Sequence, residues 1–148
     1  MQNKMELINT SLVELDVDLS SKRAVVEKLA DLLENSSRIN DREQYVQDVF
    51  EREKIVSTCV GDMIVIPHAR STAVNTASLL YLRLKDTVDW NGEDEAKYVL
   101  GIAVPADNVD NLHLQILSAA AKKLLDDTIK NKLFKSTSRE EISTILVS

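Results

Sequence analysis

The sequence predicts a single α/β domain spanning residues 1–148, with helices packed on both sides of a small central sheet. Three observations carry that prediction. Ala77 to Leu84 is largely apolar and Tyr98 to Val104 almost unbroken in apolar character, the pattern of strands covered on both faces. Val25, Val26, Leu29, Leu32 and Leu33 recur at helical spacing, as do Leu112, Leu114, Ile116, Leu117, Ala120, Ala121, Leu124 and Leu125. The chain length of 148 residues fits one domain of ordinary size, able to bury a core without disulfide or metal.

Taken in order, Leu12 to Leu19 alternates apolar and polar residues and reads as a short strand or extended lead-in. Ser20 and Ser21 are candidate caps for a first helix running to about Asn35, followed by a polar turn at Ser36-Ser37-Arg38. Asn40 with Glu43 three residues on resembles a capping box and predicts a second helix, with Tyr45, Val46, Val49 and Phe50 inward, to about Lys54. Ile55 to Gly61 reads as a loop rich in small and hydroxyl residues. Ile64-Val65-Ile66 is a β-branched strand that Pro67 should end, because proline has no N–H and restricts Ile66 to extended geometry. His68 is therefore expected at a sheet rim and not in a core.

Between the two long apolar runs, Val88-Asp89-Trp90-Asn91-Gly92 reads as an excursion ending in a turn. Pro105 should end the second run, and Asp107 to Asp110 is a polar loop leading into the helix that carries His113 in its first turn. Ile129 to Phe134 predicts a short helix, and Ser138 with Glu141 caps a last one.

Charge and composition narrow the function classes. A net charge of −6 repels phosphate backbones, so no nucleic acid is expected as a partner, while a basic protein partner is allowed. One cysteine, Cys59, excludes an internal disulfide and fits a reducing compartment. The start of the chain has no charged segment followed by a long apolar run, and no stretch reaches transmembrane length, so a cytoplasmic location is expected.

Two histidines, with no cysteine or carboxylate at ligand spacing, are too few for a metal site. The glycines form no phosphate-cradling loop, which disfavours direct use of ATP. No cofactor is expected. A Cys59 nucleophile is chemically conceivable but lacks a hydrolase signature around it. One role suits a displayed histidine with no nucleotide site: carrying a phosphoryl group itself. Neutral imidazole attacks phosphorus and yields a phosphoramidate that passes the group on readily. The protein then needs mainly to align donor and acceptor and to neutralise oxygen charge, for which Arg52, Arg70, Ser57 and Thr58 are available.

Phe50-Glu51-Arg52-Glu53-Lys54, then Ser57-Thr58, then Ile64-Val65-Ile66-Pro67-His68-Ala69-Arg70, and finally His113-Leu114-Gln115-Ile116-Leu117-Ser118 resemble a known family. It is the enzyme IIA domain of the fructose/mannitol class (type 2) of the phosphoenolpyruvate-dependent sugar phosphotransferase system. The resemblance covers nearly the whole chain and implies a mixed sheet between helices. It also implies a route: from the phosphocarrier protein HPr to His68, the candidate tele-phosphohistidine, then to a cysteine on a IIB partner, and to sugar entering through a membrane IIC permease. Arg52 would bind the phosphoryl oxygens, with Ser57 and Thr58 as further candidates, and His113 would donate a hydrogen bond or position the group. The alternative is a regulatory, nitrogen-type IIA protein whose phosphorylation state controls a protein target. Where family members often carry more glycine, this sequence has Gly61-Asp62-Met63, and Asp62 adds negative charge near a site for an anion.

Overall fold

The computed structural model describes residues 7–107 and 112–147, of which 112–114 are described in backbone only. After a 3-10 turn at Thr10–Leu12, strand β1 (Val13–Val17) leads to helices α1 (Lys22–Asn35) and α2 (Arg42–Ile55). Then come β2 (Cys59–Gly61), β3 (Ile64–Val65), β4 (His68–Ser71), β5 (Ser78–Asp89) and β6 (Glu95–Pro105). Helices α3 (Leu112–Lys123), α4 (Asp127–Lys135) and α5 (Arg139–Val147) follow.

The sheet is mixed, in the order β1-β5-β6-β3-β2, with β4 also paired to β6. β5 and β6 form the long antiparallel centre, β1 lies parallel to β5, and both β3 and β4 run parallel to β6. Helices cover both faces. Along β5 alternate side chains point to opposite sides. Leu80 meets the Gly101 position together with Leu29 of α1 on one side. Tyr81 and Arg83 on the other side donate to the Leu133 carbonyl of α4, at 2.7 and 3.0 Å. This two-sided burial is the reason β5 and β6 read as near-continuous apolar runs.

The Ile64 strand ends before Pro67, as expected, but a new strand begins directly after it. β3 stops at Val65, but the chain resumes pairing at His68, where β4 lies alongside Ile102 to Pro105 of β6. The Pro67 carbonyl itself accepts from Ile102 N–H at 3.1 Å. A proline removes one donor, not the acceptor, and β6 is long enough to take up pairing again beyond the gap. His68 is consequently buried, at 4% exposure, instead of standing at the rim.

Local chemistry differs from expectation at three further points. The cap of α2 is Asp41, whose carboxylate accepts from Gln44 N–H at 3.1 Å, while Asn40 donates to Asn75 Oδ1 at 2.7 Å. Arg38, read as part of a polar turn, is 1% exposed and donates to Ser78 Oγ at 3.0 Å. Residues 55–61 are a loop only in part, because β2 pairs with β3 in a hairpin whose turn holds Asp62 and Met63 at φ of 54° and 61°. Two consecutive positive φ values suit the primed turns that join antiparallel strands, and aspartate tolerates that conformation.

Candidate functional site

The strand interruption builds the site. Extended geometry at Ile66, imposed by Pro67, leaves the Ile66 carbonyl 2.7 Å from Nδ1 of His68 two residues on. A carbonyl only accepts, so Nδ1 carries the proton and the lone pair of the neutral ring lies on Nε2. Burial pulls the His68 pKa below the ordinary histidine value. The hydrogen bond to Ile66 opposes that shift, Arg52 adds to it and Glu53 works against it. The ring is thus held toward its neutral, nucleophilic form at neutral pH.

Arg52 comes from the last turn of α2, where it donates to the Val56 carbonyl at 2.9 Å. It shares with His68 a cleft of about 480 Å³ whose walls also include Asp48, Glu51, Lys54 and Arg70. Arg70 stands two residues beyond His68 on β4, so both side chains leave the same face of the strand. The cleft joins a nucleophile to guanidinium groups, which suits an anion with several oxygens.

Ser57 and Thr58 are placed differently. Thr58 is buried and gives both its N–H, at 3.4 Å, and its hydroxyl to the Glu53 carboxylate. Ser57 Oγ accepts from Cys59 N–H at 3.2 Å and from Asn91 at 3.1 Å. Cys59 is half-buried in β2, in register with Val65. His113 falls in the first turn of α3, but its side chain lies outside the described residues. Among the described residues, no group of three or more His, Cys, Asp and Glu side chains could hold a metal ion.

Two features were missed by sequence reasoning. Glu53, inside the Arg-Glu-Lys block, has a side chain only 2% exposed and gathers donors from four groups. Besides the two of Thr58 these are Trp90 Nε1 at 3.1 Å and Lys22 Nζ at 3.4 Å. The available signal was the single tryptophan, whose N–H needs a partner once buried. The second is the partner of Asp62: its carboxylate lies 2.9 Å from Lys130 of α4, which answers the negative charge that looked out of place near an anion site.

Fold and site together define an α/β domain that holds the buried His68 imidazole beside a guanidinium and a desolvated carboxylate. The family described as "Phosphoenolpyruvate-dependent sugar phosphotransferase system, EIIA 2" matches residues 6–148, and the chain belongs to it. The chain is 32% identical over 137 residues to the fructose-specific EIIA component of Haloferax volcanii, covering 91% of this chain and 88% of that protein. It also matches multi-component proteins such as the fructose-specific EIIABC component of Bacillus subtilis, of which it spans 22%.

Among solved structures, the nitrogen regulatory protein IIA-Ntr from Neisseria meningitidis superposes with a TM-score of 0.83 at 29% identity, covering 95% of this chain and 96% of that one. A chain of the complex of enzyme IIA-Mtl and phosphorylated enzyme IIB-Mtl from Escherichia coli superposes at 0.78 and 22% identity, with coverage of 95% and 96%. At that identity the second likeness concerns the fold. No helix among the described residues is long and apolar enough to cross a membrane.

Proposed function

We propose that this enzyme IIA protein is a phosphoryl carrier that accepts the group from phospho-HPr on His68 Nε2 and passes it to a cysteine of a IIB partner. The transfer serves sugar uptake through a IIC permease from the cytoplasmic side. The lone pair of Nε2 attacks phosphorus, the P–N bond of the donor phosphohistidine breaks, and its electron pair returns to the donor imidazole. In the second step the IIB thiolate attacks the same phosphorus and the electron pair of the breaking bond returns to Nε2. Arg52 holds phosphoryl oxygens through its planar fork, and His113 positions the group from the start of α3. Ser57 and Thr58 are the further candidates for phosphoryl oxygens, and they also order their loop, Thr58 through Glu53 and Ser57 through Cys59 and Asn91. No cofactor takes part.

The observation that carries this reading is the 2.7 Å bond between His68 Nδ1 and the Ile66 carbonyl, which leaves the nucleophilic pair on Nε2. With phosphoenolpyruvate, enzyme I and HPr supplied, mass spectrometry should find one acid-labile phosphoryl group, absent in His68→Ala. Equal uptake by that variant would refute the assignment.

A second reading is regulation, in which the phosphorylation state of the domain controls a protein target. The similarity to nitrogen regulatory protein IIA-Ntr favours it. Transfer from the phospho-form to a IIB protein and onward to sugar supports transport. A phospho-form that reaches no sugar but changes which proteins the domain retains supports regulation.

A further inference from the structure

Glu53 takes no part in the bond changes of phosphoryl transfer, yet it is a deeply desolvated charge close enough to raise the His68 pKa. Its side chain is 2% exposed. A buried carboxylate is costly unless donors surround it, and this one has them on every side: Thr58 N–H and hydroxyl, Trp90 Nε1–H and Lys22 Nζ. Lys22 is itself placed by the Trp90 ring, whose centre lies 5.0 Å from its nitrogen. The carboxylate therefore ties together the start of α1, the end of α2 and the turn between β5 and β6.

The far side of Thr58 leads to His68. The Thr58 carbonyl accepts from Ile66 N–H at 3.1 Å, and the Ile66 carbonyl accepts from His68 Nδ1 at 2.7 Å. These bonds form a continuous path, from carboxylate to Thr58, from Thr58 to the Ile66 peptide, and from Ile66 to the ring. We infer that Glu53 is a positioning residue for His68, holding the Thr58 and Ile66 backbone so that the imidazole keeps its proton on Nδ1 and presents Nε2. The Ile66 side chain is buried in the core, but its backbone lies in the gap between β3, which ends at Val65, and β4, and Pro67 offers no N–H to the sheet. The bond from Ile66 N–H to Thr58 anchors the residue whose carbonyl, in the following peptide, sets the tautomer.

Glu53→Gln tests this without altering side-chain length. The amide loses the charge that Lys22 pairs with, and with its oxygen on Thr58 N–H, Trp90 and Lys22 its NH2 group faces the Thr58 hydroxyl, which must turn from donor to acceptor. Thr58→Val removes the hydroxyl alone, and Thr58→Ser restores it. The readouts are the ring nitrogen shifts of His68, which report the tautomer, and the rate of phosphoryl uptake from phospho-HPr.

The wild type is expected to show the Nδ1–H tautomer. Glu53→Gln and Thr58→Val are expected to mix the tautomers and slow uptake on the order of tenfold, as misplacing a reacting group does, with Thr58→Ser restoring both. Folded variants that keep the wild-type tautomer and rate would overturn the inference. Should either variant fail to fold, Trp90→Phe removes one donor to the same carboxylate while keeping the ring, and the same two outcomes decide. The inference rests on His68 being the phosphorylated residue, but the two fail separately. A wild type that takes up no phosphoryl group sinks the carrier reading, while the nitrogen shifts still report on Glu53.

Discussion

At the scale of single residues, the site is a balance between desolvation and hydrogen bonding. Burial disfavours the charged imidazolium of His68, the Ile66 carbonyl favours it, and Arg52 and Glu53 pull in opposite directions, with burial prevailing. Its folded pKa is therefore depressed, and the sign of the linkage follows. Above the unfolded value both states are neutral and nothing is lost. As pH falls below about 6.5 the unfolded chain takes up a proton that the folded chain resists, so stability drops until the folded pKa is passed. Urea unfolding at about pH 7.5 and about pH 5.5 should show His68→Gln losing less stability over the interval than the wild type does. An equal loss would mean that His68 titrates as it does in the unfolded chain.

At the scale of elements, the ends of helices and strands decide where side chains go. Ser21 accepts from Ala24 N–H at 3.0 Å and Asp126 from Thr128 and Ile129, so α1 and α4 begin at side-chain caps. The end of α4 is closed from outside the helix. Arg83 of β5, 6% exposed, donates to the Leu133 carbonyl at 3.0 Å and to Ser136 at 2.7 Å. These carbonyls belong to the last turn and C-cap, which lack intrahelical donors. Arg83→Met keeps the buried stem but removes both donors, and should cost about 2 kcal/mol with an unchanged denaturant slope. A loss below about 0.5 kcal/mol would mean that the guanidinium only offsets its own desolvation. Caps on α1 and the periodicity of the helical stripes were readable in the sequence because those signals act over three or four residues. The Arg83 clamp joins residues fifty positions apart and left no such mark.

At the scale of the whole molecule, the sheet centre is packed closely enough to leave one position without room for a side chain. A Cβ on Gly101 of β6 would stand 2.9 Å from Leu29 Cδ2 of α1 and 3.4 Å from Leu80. Gly101→Ala should cost about 1–2 kcal/mol through displaced side chains, despite the stiffer unfolded chain. Combined with Leu29→Ala, whose cavity the added methyl partly fills, the two changes should fall short of additivity by about 1 kcal/mol. Additive costs would show that the clash is relieved elsewhere.

The sequence by itself determined the class of fold, the extent of most helices, the two long buried strands and the membership of Arg52 and His68 in one motif-bearing stretch. Each of these follows from local repeats, caps and residue chemistry within a short window. Tertiary structure decided that a second strand starts at His68 directly after the proline, because β6 runs on far enough to pair with it. It decided that His68 is buried, that Arg38 is interior, and that Asp62 is answered by Lys130. It also turned Glu53 from one letter of a charged block into the carboxylate on which Lys22, Thr58 and Trp90 converge. Those contacts join residues as much as sixty-eight positions apart, and they exist only once sheet register and helix packing have brought the partners together.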